Sequence, residues 1–202
     1  MVFVRIGIFA ILLISSQLVI AEQKQYIIGV DTNDEYPLYR IDNNPEGFYI
    51  DIMEKFAQST NIKFIYKKLP KDNLYSSFYN QEIDLRLVDN PNWHATTKRE
   101  HNVIYSTAIH FYINGMFIMN DRNLDIHQIK NLGVVTDSLI WSMQHYLHNN
   151  KIDIKKAKNC NDLIEPLMNG EIDIIYCNYQ VMQYHLKGNK QIVFASHLPY
   201  ID

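Results

Sequence analysis

The side chains in this chain that can do chemistry suit holding a ligand better than transforming one. Eight histidines are present, but they are scattered, and only His145 and His148 stand at an i, i+3 helical spacing. With no third ligand in view, two surface histidines are expected there rather than a zinc site. No Gly-x-Ser-x-Gly elbow and no glycine-rich phosphate loop occur, and no nucleophile can be singled out beside a base. Neither a metal nor a cofactor is expected, and an enzyme is not. Cys160 and Cys177 form one disulfide or remain two buried thiols. Cys160 lies where a strand gives way to a helix and Cys177 ends the next strand, so both sit at one edge of a parallel sheet, within reach of each other. Arg99 carries a planar fork that matches a carboxylate, although in Lys98-Arg99-Glu100 a solvated surface arginine is the plainer role. Asp31 ends the first strand, where it faces a ligand or simply forms a turn. Tyr36 and Trp93 wall a pocket or pack in the core.

The elements that must position these residues repeat. Leu74-Tyr75-Ser76-Ser77-Phe78-Tyr79-Asn80-Gln81-Glu82-Ile83-Asp84 is echoed by Leu163-Ile164-Glu165-Pro166-Leu167-Met168-Asn169-Gly170-Glu171-Ile172-Asp173. Each reads as a short amphipathic helix, then Asn-x-Glu-Ile-Asp, then an apolar strand (83–88 and 172–177). A strand candidate precedes each helix, at 62–67 and 152–157. One βαβ unit per half predicts two α/β lobes with a cleft between them. Further strands are expected at 26–30, 103–105, 116–119, 132–135 and 191–194, and further helices at 50–59, 139–148 and 179–187, with Thr136-Asp137-Ser138 capping the second of these. The segment 106–115 carries the chain from one lobe to the other.

Met1 to Ala21 holds one positive side chain, Arg5, no acid, and an apolar run from Ile6 to Ile14 that the polar break Ser15-Ser16-Gln17 ends. It reads as a secretory signal peptide cleaved after Ala21, the run being short of the ~20 apolar residues a spanning helix needs. An exported protein is therefore expected. The formal net charge is -3, and about -4 once Arg5 is removed. With no basic patch, nucleic acid is not an expected partner.

At this point the chain resembles the extracellular solute-binding proteins of the amino-acid-binding type, the two-lobed "Venus flytrap". The residues that carry the resemblance are Ile28-Gly29-Val30-Asp31, Tyr36-Pro37-Leu38, Gly47-Phe48-Tyr49-Ile50-Asp51-Ile52, Glu82-Ile83-Asp84, Thr96-Thr97-Lys98-Arg99, Tyr105-Ser106, Leu132 to Ser138 and Gly170-Glu171-Ile172-Asp173. The resemblance implies an α/β fold with mainly parallel sheets, a signal peptide over 1–21, lobe 1 over 22–112 and lobe 2 over 113–202. It implies a monomer outside the cytoplasm that captures a small polar, carboxylate-bearing ligand and passes it to a membrane transporter permease. A ligand-sensing module or a dehydratase of this fold is the alternative. By the same resemblance Arg99 grips the ligand carboxylate, and Ser138, at a helix start, offers hydroxyl and backbone N–H groups to an anion. The sequence also departs from the family. Where an acid commonly follows the Gly-x-x-Asp aspartate by five residues to hold an α-ammonium, Asn178 stands here, without charge. The loop Asp89 to Ala95 is longer than usual. The return crossing and the closing helix of lobe 1, about 30 to 40 residues by typical element lengths, do not occur before Asp202.

Overall fold

A computed structural model describes residues 23–136, 147 and 152–198. The signal segment, Ser138, His145, His148 and, apart from residue 147, the helix expected over 139–148 lie outside the described residues. In the first half, β1 (Lys24–Asp31), α1 (Phe48–Thr60), β2 (Ile62–Leu69), α2 (Lys71–Tyr79), β3 (Leu85–Arg86) and α3 (Ala95–Glu100) follow in order. The three strands form an all-parallel sheet of order β2-β1-β3. The second half contributes β4 (Asn114–Met119), β5 (Asn131–Val135), β6 (Asp153–Ala157), α4 (Ile164–Met168), β7 (Ile174–Asn178), α5 (Tyr179–Leu186) and β8 (Ile192–Phe194). These strands form a sheet of order β6-β5-β7-β4-β8. β5 runs parallel to β6 and β7, whereas β4 runs antiparallel to β7 and β8. Among the described residues no helix is long and apolar enough to cross a membrane.

Three expectations shift locally. The segment 103–105 is not a strand: Val103 N donates to Lys98 O, tying it to the end of α3, and Ile104 stands 91% exposed with no ladder partner. Val, Ile and Tyr favour strands only where a pleated neighbour exists to pack on. The strand expected over 83–88 shrinks to Leu85–Arg86 because Val88, at φ 59°, turns the chain out of the sheet. The helix expected in the second copy of the repeated string is preceded by a 3-10 turn, Asn161–Leu163, before α4. Pro166 is accommodated in the first turn of α4, where no intrahelical N–H is required.

The repeated string has the same structural meaning in both halves. In the first, Asp84 N donates to Ile27 O (2.9 Å) and Asp84 Oδ2 accepts from Ile27 N (2.7 Å). In the second, Asp173 N donates to Asn131 O (2.9 Å), while Asp173 Oδ2 accepts from Asn131 N (2.9 Å) and Lys130 N (3.0 Å). Each aspartate, just ahead of β3 or β7, thus supplies a charge-assisted rung to the neighbouring parallel strand, β1 in the first half and β5 in the second. Above the rung, Leu74 and Ile83 close over Gly29, and Leu163 and Ile172 close over Gly133. A Cβ on either glycine would run into the terminal methyls of that pair. All four apolar side chains are buried. β7 is buried along its whole length, as befits a central strand covered on both faces.

The match extends to the backbone. Gly170 adopts φ 73°, and Gln81, its counterpart in the first unit, is held at φ 61°. Left-handed backbone is free to glycine and strained for glutamine. Gln81→Gly, at an exposed position, is expected to stabilise the protein by about 0.5–1 kcal/mol, a rise of roughly 1–4 °C in melting temperature. Calorimetry showing no rise would mean that the Gln81 side chain contributes more than its backbone costs.

Candidate functional site

The C-terminal ends of β1, β5, β6 and β7 open onto one cleft, which is where parallel α/β sheets place ligands. One wall is the loop after β1, with Asn33, Asp34 and Glu35. The other is built from Val135, Lys158, Asn159, Cys160, Cys177, Asn178 and the inner face of α5, with Val181 and His185. Tyr112 and Asn114, at the end of the interlobe segment, line the floor.

On the first wall the acids are unequal. Asp34 is engaged, with Oδ1 accepting from Ile41 N at 3.0 Å and pairing with Lys68 Nζ at 3.1 Å. Glu35 is half-buried and accepts a hydrogen bond from Tyr112 Oη at 2.7 Å. Burial raises its carboxyl above the ordinary value, and the Tyr112 bond and the Lys71 charge only partly counter this. Burial, then the Glu35 charge, pushes the Tyr112 phenol well above its ordinary value.

On the second wall Asn178 both ends β7 and caps α5. Its Oδ1 accepts from Val181 N at 3.1 Å, and its Nδ2, buried, has no hydrogen-bond partner among the described residues. The cap fixes which end of the amide is spent, so the group left for the cleft is a donor. Lys158 is exposed at the end of β6 and forms no ion pair among the described residues. Burial, then Lys187, lowers His185 below the usual histidine value, favouring the neutral ring. Cys160 and Cys177 are joined by a disulfide with Cα atoms 6.1 Å apart. It ties the end of β7 to the 3-10 turn that leads into α4.

The residues singled out in the sequence scatter around this cleft. Asn178 lines it. Asp31 stands at its edge, its Oδ1 accepting from Asn33 N at 2.9 Å and so shaping the loop that carries Glu35. Tyr36 lies against Tyr184 of α5, with ring centroids 4.9 Å apart and edge to face, so it bridges the lobes. Trp93 packs edge-on against Tyr112 at 6.3 Å, one residue back from the cleft. Arg99 is exposed on α3, and its neighbour Lys98 turns inward. Ser138 lies outside the described residues. Glu35, Lys158, Asn159, Tyr112 and His185 went unnoticed in the sequence. The strand-end rule that marks Asp31 points equally to the residues that follow β1 and β6.

Three kinds of comparison bear on this arrangement. A family model described as bacterial extracellular solute-binding proteins, family 3, matches residues 26–138. A probable histidine-binding protein of Neisseria gonorrhoeae is 24% identical over 171 residues, covering 81% of this chain. The chain spans 63% of the length of that curated relative. Among solved structures, an arginine transport periplasmic binding protein from Legionella pneumophila superposes with a TM-score of 0.62 at 17% identity, covering 85% of this chain and 79% of that one. An arginine-, lysine-, histidine-binding protein from Geobacillus stearothermophilus gives 0.65 at 16%, covering 88% and 78%. A histidine kinase sensor domain with similarity to periplasmic binding proteins gives 0.62 at 15%, covering 88% and 79%. At such identities the structures establish the two-lobed fold.

Because burial raises the Glu35 carboxyl, the folded protein keeps that proton to higher pH than the unfolded chain does. Stability attributable to Glu35 is therefore lost as the pH climbs above 4.5 through the raised folded value. Glu35→Gln should remove that loss, so the variant's melting temperature declines less than the wild type's across the window. Parallel pH–melting profiles would show that the carboxylate bears no desolvation cost.

Proposed function

The chain belongs to the bacterial extracellular solute-binding proteins of family 3, and on that premise we propose that it is an exported, monomeric receptor that captures a small polar ligand and delivers it to a membrane transporter permease. The ligand carries a carboxylate and a cationic group. The observation that carries this is the division of charge across the cleft. Glu35 on the lobe 1 wall is an acceptor for a cation, while Lys158 and the spare Nδ2 of Asn178 on the lobe 2 wall are donors for an anion. The relatives named for histidine, or for arginine, lysine and histidine, support a cationic ligand. In this reading the protein binds and releases its ligand unchanged, and mass spectrometry of ligand recovered after incubation tests that.

The second reading, a ligand-sensing module, is favoured by the likeness to the histidine kinase sensor domain. Uptake assays in cells lacking the protein separate the two, since a receptor for transport is needed for accumulation of the ligand and a sensor is not.

Screening basic amino acids and related zwitterions by thermal shift would first identify a ligand, because a compound that binds only the native state raises the melting temperature. Calorimetric titration of variants then tests the wall assignment. Lys158→Ala should weaken binding by roughly ten- to a hundredfold, in line with about 1.5–3 kcal/mol for a hydrogen bond to a charged group. Arg99→Ala, at an exposed site on α3, should change it little. The opposite pattern would move the ligand carboxylate to lobe 1.

A further inference from the structure

Among the described residues, the most concentrated buried charge lies around the loop that follows β3. Four side chains converge there on the carboxylate of Asp89. Tyr75 Oη donates to Oδ1 at 2.8 Å and Tyr105 Oη to Oδ2 at 3.1 Å. Lys98 Nζ lies 2.8 Å from Oδ2 and 2.9 Å from Oδ1, and also donates to Asn90 O at 2.6 Å. Arg86 Nη1 lies 3.3 Å from Oδ1, and its guanidinium covers the Tyr75 ring at 3.8 Å. The Lys98 and Arg86 side chains are 4% and 7% exposed, and Asp89 is 13% exposed. Two buried cations therefore share one anion. Arg86 Nε and Nη1 make no hydrogen bond among the described residues, so the guanidinium has donors to spare.

Burying cations in this way is costly unless an anion with several oxygen lone pairs meets them. A planar fork, an ammonium and two phenols around a single point form a receptor for a carboxylate. The place is also informative. Asp89 follows the end of β3, on the same edge of the lobe 1 sheet from which the Glu35 loop departs. Arg86 is near enough to Tyr39 to bear on its phenol, as are Glu35, Asp31 and Asp34.

We propose that Arg86, Lys98, Tyr75 and Tyr105 form a carboxylate-binding site that the protein fills with its own Asp89, closing this edge of lobe 1 to carboxylates from solution. The consequence for specificity rests on the function proposed above: a ligand's carboxylate is left to lobe 2 and its cation to lobe 1.

The test uses the purified chain and sodium formate, the smallest carboxylate, with sodium chloride at matched ionic strength as control. Asp89→Ala should melt well below the wild type. Formate should raise its melting temperature by several degrees with a saturable dose dependence, and chloride should not. The wild type, its site already filled, should show no saturable shift. An equal formate response in both proteins, or none in Asp89→Ala, overturns the proposal. Should Asp89→Ala fail to fold by itself, its recovery from urea is measured with and without formate. Recovery with formate alone supports the site, and failure to recover with it refutes the site. None of these readouts involves a cleft ligand, so a negative result leaves the solute-binding reading standing. A negative Lys158→Ala result likewise leaves the Asp89 site standing.

Discussion

Each lobe depends on one carboxylate bonded to one strand. Asp84 and Asp173 are the last residues of the two copies of a repeated string, and each takes a backbone N–H of the adjacent parallel strand, Ile27 in β1 and Asn131 in β5. Without that bond Ile27 N in β1 and Asn131 N in β5 would lose their partner on the side where β3 and β7 have not yet begun. The aspartate extends the ladder by side chain and fixes the register of the parallel pair. That register then determines what else fits. With Ile27 and Asn131 tied down, Gly29 and Gly133 fall beneath the Leu and Ile of their own unit, and the helix can approach the sheet only because no Cβ stands in the way. The strand ends that wall the cleft follow from the same alignment.

This is why the duplication was legible from sequence alone. A repeated string whose buried Leu, buried Ile and bonding Asp recur in both copies leaves a trace in residue types at those positions. The cleft leaves a fainter one. Glu35 and Lys158 sit in polar stretches with no periodicity, and their placement follows from which strands end beside one another. A single sequence suggests that adjacency through topology and not through composition. Asn178 was visible as an uncharged residue where an acid would be commoner, but its capping of α5, and so the direction of its remaining hydrogen bond, became clear only once the start of that helix was fixed. Conversely, the apolar triplet at 103–105 promised a strand that no neighbour completes, and the strand after Ile83 was cut short by the backbone at Val88. In both cases the local pattern was sound and the tertiary context prevailed.

The charges in lobe 1 fall into two groups with different fates. Around Asp89 two buried cations and two phenols gather on one carboxylate, which fixes the geometry of the loop. Around Glu35 a carboxylate is kept half out of water with a phenol as its near partner, a state that a cation entering the cleft would relieve. A buried cluster gives rigidity, and in the proposed receptor a half-buried carboxylate gives affinity, so the two roles are separated along one sheet edge. In lobe 2 the disulfide serves the first role by covalent means, holding the end of β7 against the 3-10 turn while Asn178, one residue further on, keeps a donor in reserve.

The ring contact between Tyr36 and Tyr184 has a bearing on timing. Edge-to-face aromatic pairs contribute about 0.5–1.5 kcal/mol beyond their area, and this one joins the two lobes at the rim of the cleft. Arg40 over Tyr36 and Lys187 over Tyr184 add a cation to the outer side of each ring. In the receptor proposed above, a mouth fastened this way would spend more of its time shut than one without it, by up to about tenfold in population. A solute visiting such a receptor would then wait for the mouth to open and, once inside, leave correspondingly seldom. On that reading the pair of tyrosines would exchange speed of capture for length of stay, without touching the solute at all.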